Sequence, residues 1–294
     1  MKVAKIAITT DSNSGITQSE GKELGILVLP MPFIIGDDTY FEDINLSQAE
    51  FYETLEGDAD ISTTQPSPEQ VMNLWDDALK ENDYVIHIPM SSGLSGSCST
   101  AMMLSKEDEY EGKVWVVDNQ RISVTQRQAV MDAKKMAEAE MEPQAIYDKL
   151  MEMKLEASIY IMVDTLKYLK KGGRITPAAA ALGTILKLKP VLQIQGEKLD
   201  AFSKARTINS AKTIMIDAIQ KDIDTRFGGD INNVMIFFAH TKNDEEVVKF
   251  REELMEKIPG CNIDEMVINP LSLSVSCHIG PGALAVAVVK RLDV

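Results

Sequence analysis

Short apolar segments alternate with helix-forming segments along most of the 294-residue chain. The apolar segments lie at residues 5–10, 26–35, 39–41, 84–88, 114–118, 158–163, 189–194, 234–239, 262–268 and 284–289. The helical patterns cover residues 67–80, 127–140, 143–155, 164–171, 177–188, 207–226 and 244–257. N-cap signals support this interpretation at Ser47 with Glu50 and at Ser67 with Gln70. The alternation predicts an α/β fold with a mostly parallel sheet.

The length fits about two domains, because single domains usually contain ~100–200 residues. We place the boundary near residue 160. Residues 1–160 then form an N-terminal α/β domain with a mostly parallel, Rossmann-like sheet. Residues 161–294 form a C-terminal α/β domain, for which the hairpin-like turn at Gln195–Leu199 predicts a mixed sheet.

The chain carries 45 acidic and 30 basic residues, which give a formal net charge of −15. Such a chain has no general attraction for nucleic-acid phosphates or anionic lipid headgroups. We therefore expect no nucleic-acid partner and no stable membrane insertion, since no segment reaches the ~18 apolar residues of a membrane span.

Cysteine and histidine are sparse, with three residues of each. They are Cys98, Cys261, Cys277, His87, His240 and His278. None of the cysteines is paired at the spacing of a zinc site, and the odd count is typical of a reducing compartment. These features predict a cytoplasmic protein that uses no metal ion and no cofactor.

Five polar loops rich in small residues are the candidate binding elements. They comprise residues 10–15, 62–67, 91–97, 170–177 and 277–284. Ligands of open α/β sheets bind beyond the carboxyl ends of the strands, and hydroxyls with backbone N–H groups at a helix start hold anions well. The simpler interpretation of any one loop is a turn followed by a helix cap.

Two of the loops carry basic or titratable side chains. Capping of a helix C-terminus accounts for Lys170–Gly172, but not for Gly173 and Arg174 beside a helix start, which suit a carboxylate or a phosphate. His278 precedes a Gly-Pro-Gly turn that would fix its position. Its local sequence leaves a structural and a functional role equally open.

Taken together, the loops resemble motifs of the DegV family of bacterial fatty-acid-binding proteins. Residues 10–16 are similar to its Thr-Asp-Ser segment, 36–43 to its G-x-x-Y-x-D stretch at slightly different spacing, and 63–67 to its T-S-Q-P-S loop with Thr64 for Ser. Residues 91–97 resemble S-S-x-L-S-G-T with Ser97 for Thr, 168–192 the longest signature, and 204–207 and 278–284 the late motifs. The resemblance spans residues 10 to 284 in the family's order.

The resemblance implies a DegV-like pair of α/β domains that hold a long-chain fatty acid, such as palmitate, stearate or oleate, between or beside them. It implies that the carboxylate is bound by Thr63, Ser92, Ser95, Arg174 and His278. Further candidates near the carboxylate are Thr64, Gly173 and Arg206, of which Arg206 is also a candidate for facing a partner.

The same resemblance implies an apolar tunnel for the acyl chain. Residues 27–35 and 177–188 are apolar enough to line it, although ordinary core is the simpler interpretation of both. Some members of the family present the fatty acid to a separate ATP-dependent kinase, which makes an acyl phosphate. We therefore expect a binding protein that is not itself an enzyme and that has a kinase partner.

Two other functions remain open from the residues alone. Ser95, either Asp118 or Asp164, and His278 occur in the chain order of an α/β-hydrolase triad, which would act on a lipid ester. The loop around Ser95 lacks the final glycine of G-x-S-x-G. A phosphate or nucleotide binder is the other alternative, but the chain contains neither a P-loop nor a dinucleotide-binding glycine motif.

Overall fold

A computed structural model of the protein describes residues 4–57, 59–182 and 188–293. The chain forms two compact units, Met1–Leu155 with Leu292–Val294, and Glu156–Arg291. Both units combine strands with helices, which confirms the predicted α/β class.

The first unit contains seven of the described strands and six of the described helices. The strands are β1 (Ile6–Asp11), β2 (Ile26–Leu29), β3 (Pro32–Ile35), β4 (Asp38–Phe41), β5 (Ile61–Thr63), β6 (Tyr84–Ile88) and β7 (Val114–Val116). The helices are α1 (Gln18–Leu24), α2 (Gln48–Glu56), α3 (Pro68–Leu79), α4 (Ser97–Leu104), α5 (Ser123–Glu138) and α6 (Pro143–Glu152).

A parallel sheet in the order β2-β1-β6-β7 is the centre of the first unit, as predicted. Ile8 and Ile86 pack with Ala133 of α5 on one face, whereas Ala7 packs with Trp75 of α3 on the other. Helices on both faces are what a parallel sheet requires. The chain leaves β1 toward β2 on one side, and β6 lies on the other side. The carboxyl ends of β1 and β6 therefore mark the topological switch point where such sheets bind ligands.

The predicted single strand 26–35 is wrong. It is divided into β2, in the parallel sheet, and β3, in a small antiparallel sheet of order β4-β3-β5. Pro30, between the two strands, lacks the N–H group that a sheet ladder needs. Several apolar side chains of this segment are core: Val28 packs in the parallel-sheet cluster, and Phe33 lies edge-on against Phe51. Leu27, Ile34 and Ile35 are half-buried, and a role of the segment in lining a tunnel stays a prediction.

The second unit contains the remaining described strands and helices. The strands are β8 (Ala157–Met162), β9 (Lys189–Ile194), β10 (Asp200–Ala205), β11 (Val234–His240), β12 (Ile268–Pro270) and β13 (Leu284–Lys290). The helices are α7 (Lys167–Gly172), α8 (Pro177–Leu182), α9 (Ile208–Arg226), α10 (Asp244–Lys257) and α11 (Leu273–Ile279).

A mixed sheet in the order β10-β9-β8-β13-β11-β12 confirms the prediction for the second unit. Among the described strands of this sheet, β11 and β12 alone pair in parallel, and β9 pairs with β10 through the predicted turn at 195–199. Helices α9 and α10 cover one face, where Phe238 of β11 meets Phe250 of α10 with ring centroids 5.3 Å apart.

One local prediction in this unit is wrong, one helix was not predicted, and one predicted helix is described only in part. The strand predicted at 262–268 is a 3-10 turn at Ile263–Glu265 followed by the short β12. Helix α11 was assigned to no element by the sequence. The helix predicted at 177–188 is described as α8 up to Leu182, and residues 183–187, five of the twelve residues predicted to line the tunnel there, lie outside the described part of the chain.

Candidate functional site

The buried carboxylate of Asp11 joins the two loops at the switch point of the parallel sheet. Asp11 ends β1 and accepts hydrogen bonds from the backbone N–H of Met90 (2.8 Å), the backbone N–H of Asn13 (3.0 Å) and the Gln126 amide (3.1 Å). Burial raises the pKa of Asp11 to about 6, although the three donors oppose this shift. The contact to Met90 fixes the start of the loop that carries Ser92 and Ser95.

Ser92 and Ser95 lie in this same loop but use their hydroxyl groups differently. The backbone N–H and the hydroxyl of Ser92 both donate to the carboxylate of Asp118, at 3.2 and 2.7 Å. The hydroxyl of Ser95 accepts a hydrogen bond from the backbone N–H of Ser97, at 3.2 Å. Within the described ranges no acceptor is paired with the Ser95 hydroxyl hydrogen. Ser95 can therefore donate to an incoming carboxylate, whereas Ser92 already donates to one.

The loop after β5 packs against the Ser95 loop. The side-chain amide of Gln65 donates to the Thr100 hydroxyl at 3.3 Å, and a Cβ added to Gly96 would lie 2.7 Å from Gln65 Oε1. The two loops are thus in direct contact within the first unit. Thr63, the last residue of β5, is half-buried, whereas Thr64 is exposed.

In the second unit the structure brings Arg174 and His278 together. Helix α7 ends at Gly172 and is capped by Gly173, which has the left-handed φ of 69°. Arg174 then folds back so that its Nη1 donates to the carbonyl of Gly172. His278 lies on α11, which packs against α7, and its ring touches the main chain of Gly172. Thr176 caps the start of α8, since its hydroxyl accepts a hydrogen bond from the backbone N–H of Ala179 at 3.2 Å.

Burial and the neighbouring guanidinium determine the charge of this pair. Burial, and then the positive charge of Arg174, lower the pKa of His278 to about 4, so its imidazole is neutral at pH 7. Arg174 is half-buried and, in the part of the chain that the structure describes, forms no ion pair with a carboxylate. The pair therefore presents one uncompensated positive charge beside a neutral ring.

Arg206 is a different case. It is exposed and follows β10, immediately before the Thr207 cap of α9. Over residues 4–57, 59–182 and 188–293 no hydrogen bond or ion pair links it to Arg174 or His278. Its assignment to the carboxylate site remains a prediction.

The two acids considered for a hydrolase triad have other partners. Asp118 accepts both hydrogen bonds from Ser92, and Asp164 forms an ion pair with Lys189. Asp118 had no assigned role in ligand binding, yet it orients a predicted site residue. Its position directly after the segment 114–118 was the signal, since side chains at the carboxyl ends of neighbouring parallel strands lie close together.

The described residues form neither a metal-binding cluster nor a membrane-spanning helix. No cluster of three or more His, Cys, Asp or Glu side chains there has the arrangement of a metal site. No helix there is both long and apolar enough to cross a membrane.

Comparison with known proteins was made on sequence and on structure. The sequence model of the family described as "Uncharacterised protein, DegV family" matches residues 5–291. The protein named DegV from Bacillus subtilis is 30% identical over 96% of this chain and 98% of its own length.

Two solved structures agree closely in fold. One is described as showing fatty acid binding of a DegV family protein from Thermus thermophilus; it is 28% identical, covers 98% of this chain and 100% of its own, and has a TM-score of 0.88. The other is DegV of Bacillus subtilis, described as a fatty acid binding protein; it is 27% identical, with the same coverage and a TM-score of 0.84.

Proposed function

The chain belongs to the DegV family, and on that premise we propose that it binds one long-chain fatty acid, such as palmitate, stearate or oleate. The carboxylate is held by the hydroxyls of Thr63 and Ser95, by Arg174 and by His278. Ser92, a further candidate of this set, is oriented by its two hydrogen bonds to Asp118. The acyl chain occupies an apolar tunnel. The protein is a carrier that performs no chemistry on its ligand.

The observation that carries this proposal is the surroundings of Arg174, which is half-buried and forms no ion pair with a carboxylate of the described residues. In a chain with a net charge of −15, a half-buried guanidinium that bonds a carbonyl and no described carboxylate is suited to an anionic ligand. A carboxylate taken out of water must be hydrogen-bonded and neutralised, and arginine does both through its fixed fork of N–H donors. Because His278 is neutral, it adds a hydrogen-bonding group without a second charge.

The acyl chain supplies the affinity. Each buried CH₂ group contributes ~0.8 kcal/mol, so a 16-carbon chain contributes on the order of 10 kcal/mol before the costs of association. The polar groups supply orientation, since they place the carboxylate at one defined position.

A carboxylate held by neutral hydroxyls and one arginine keeps its nucleophilic oxygens. We infer that the bound fatty acid is presented to a separate ATP-dependent kinase, which transfers the γ-phosphoryl group to that carboxylate and forms an acyl phosphate and ADP. The carrier supplies orientation in this step and the kinase supplies ATP and catalysis.

The binding proposal is tested by extraction of the purified protein with organic solvent, followed by mass spectrometry. We expect near-stoichiometric long-chain fatty acid from the native protein. The variant with Thr63→Ala, Ser95→Ala and His278→Ala should retain little, whereas a control with Thr39→Ala and Ser99→Ala, which removes exposed hydroxyls elsewhere, should retain it in full. An empty native extract together with no uptake of added oleate or palmitate contradicts the proposal.

The same preparation tests the hydrolase alternative. Steady turnover of a chromogenic ester that is lost on Ser95→Ala would identify an enzyme in place of a carrier. We expect no such turnover, since the acids available to a triad bond Ser92 and Lys189.

A further inference from the structure

Helices α7 and α11 meet through two glycines and two aromatic rings. A Cβ added to Gly172 of α7 would lie 2.2 Å from Nδ1 of His278 on α11. A Cβ added to Gly280, which caps α11, would lie 2.3 Å from Cδ2 of Tyr168 on α7. The two contacts are reciprocal. The ring of His278 on α11 packs against Gly172 of α7, and the ring of Tyr168 on α7 packs against Gly280, the cap of α11. A side chain of any size at either glycine would push a ring away.

The backbone conformation does not require a glycine at 172. Gly172 is helical, and glycine in a helix lowers its stability relative to alanine. Its neighbour Gly173 shows the contrast: its φ of 69° favours glycine, but a Cβ there would meet nothing within 4 Å. Gly173 is therefore required by the left-handed backbone where the chain reverses. Gly172 is required because the ring of His278 lies where a side chain would be.

Gly172 also contacts the second basic residue of the site, because its carbonyl accepts the hydrogen bond from Nη1 of Arg174. One residue without a side chain thus touches the ring of His278 and holds the guanidinium of Arg174. Nδ1 is the atom of the imidazole nearest to a Cβ built on Gly172 of α7.

We propose that Gly172 is a positioning residue that sets the placement of both His278 and Arg174, with the Gly280–Tyr168 contact fixing α11 against α7. The proposed use of that placement, recognition of a carboxylate, rests on the fatty-acid-binding function proposed above. The geometric claim itself does not depend on any ligand.

The first test compares Gly172→Ala with Gly229→Ala by NMR titration of the histidine ring protons. Gly229 lies in the same unit, has a φ of 75°, and has nothing within 4 Å of an added Cβ, so its replacement strains the backbone without meeting His278. Gly172→Ala should move the His278 resonances and its titration midpoint toward the ordinary histidine value, and should weaken binding of oleate about tenfold. Gly229→Ala should change neither. Identical titrations and affinities in both variants would overturn the proposal.

The second test asks whether Gly172→Ala acts through the ring of His278, by making the substitution with and without that ring. Gly172→Ala should lower the thermal midpoint of unfolding in the native background and have little effect in a His278→Ala background, where the ring is gone. An equal loss in both backgrounds would show that the new methyl group does not act through His278. This cycle remains informative where Gly172→Ala alone is too unstable to fold. If no variant or native protein binds fatty acid, the proposed function fails while the titration and the cycle still decide the role of Gly172.

Discussion

Ser92 and Ser95 lie in one loop and have identical side chains, but their hydroxyl groups form different hydrogen bonds. The sequence assigns Ser92 and Ser95 the same role, because both belong to the motif at 91–97. The structure separates them, since Ser92 donates to Asp118 and Ser95 accepts from the Ser97 N–H group. Such a difference depends on which neighbours the fold supplies, and no local sequence pattern carries it.

Ser95→Ala should therefore weaken fatty-acid binding more than Ser92→Ala. A hydrogen bond to a charged group contributes ~1.5–3 kcal/mol, so loss of the Ser95 donor should raise Kd about 10- to 100-fold. Ser92→Ala leaves the Ser92 N–H bond to Asp118 in place, and we expect a smaller rise in Kd with a loss of stability. Displacement of a fluorescent fatty acid gives Kd, and urea unfolding gives stability. A larger loss of affinity from Ser92→Ala would contradict the assignment.

His278 should remain neutral far below the pH at which an exposed histidine gains its proton. Its folded-state pKa is about 4, against 6.5 for an ordinary histidine, so the unfolded chain binds the proton first as the pH falls. The contribution of His278 to the free energy of unfolding is present above pH 6.5 and is lost between there and about pH 4. Its size is at most about 3 kcal/mol.

The prediction is measured by urea unfolding at several pH values. His87 and His240 also have lowered pKa values because they are buried, so they add the same sign of pH dependence. The difference between the native protein and His278→Gln isolates the His278 contribution. We expect the variant to lose less stability on acidification, and parallel curves would show that His278 is not held neutral.

At the scale of elements, the sequence predicts those boundaries that depend on local chemistry. The caps predicted at Ser47 and Ser67 are present as complete capping boxes. Helix α11 was missed because its sequence, Leu273–Ile279, mixes β-branched and polar residues without a helical apolar period. Its packing against α7 is a tertiary contact, and this contact stabilises a helix that the local sequence alone does not favour.

Thr176 joins α8 to the sheet of the second unit and should contribute to its stability. Its hydroxyl accepts from the Ala179 N–H group and donates to Asp200 at 2.5 Å, beside the start of β10. Thr176→Ala should lower the free energy of unfolding by about 1 kcal/mol, the usual value of an N-cap. Thr176→Ser keeps the hydroxyl and serves as the matched control. Equal losses in the two variants would assign the effect to the missing methyl group.

At the scale of the whole molecule, the alternation of strands and helices predicted the α/β class, the chain length predicted two units, and the turn at 195–199 predicted that their sheets differ. The site was less accessible to sequence, because its candidate residues come from loops more than 200 residues apart. The family motifs named Thr63, Ser95, Arg174 and His278 together, but hydrogen-bond direction, the neutral state of His278 and the role of Gly172 follow only from packing.

Ligand chain length should control the stability of the whole protein. A ligand that binds only the folded state stabilises it by RT ln(1 + [L]/Kd), about 2.7 kcal/mol at a concentration 100 times Kd. Each CH₂ group that enters apolar surroundings should tighten binding about fourfold. Delipidated protein should therefore melt progressively higher with octanoate, laurate and palmitate at one concentration below their micelle limits.

The carboxylate is the same in all three ligands. Differences in melting temperature within the series therefore report the contribution of the tunnel and not that of the polar site. Equal melting temperatures would mean that only the carboxylate is bound and that no apolar tunnel exists. Alkyl alcohols of the same lengths test the contribution of the carboxylate. An alcohol has the same hydrocarbon chain but carries no negative charge that could pair with Arg174. Palmitate should raise the melting temperature and hexadecanol should raise it less, because burying the guanidinium without a counter-charge costs free energy that the chain must offset.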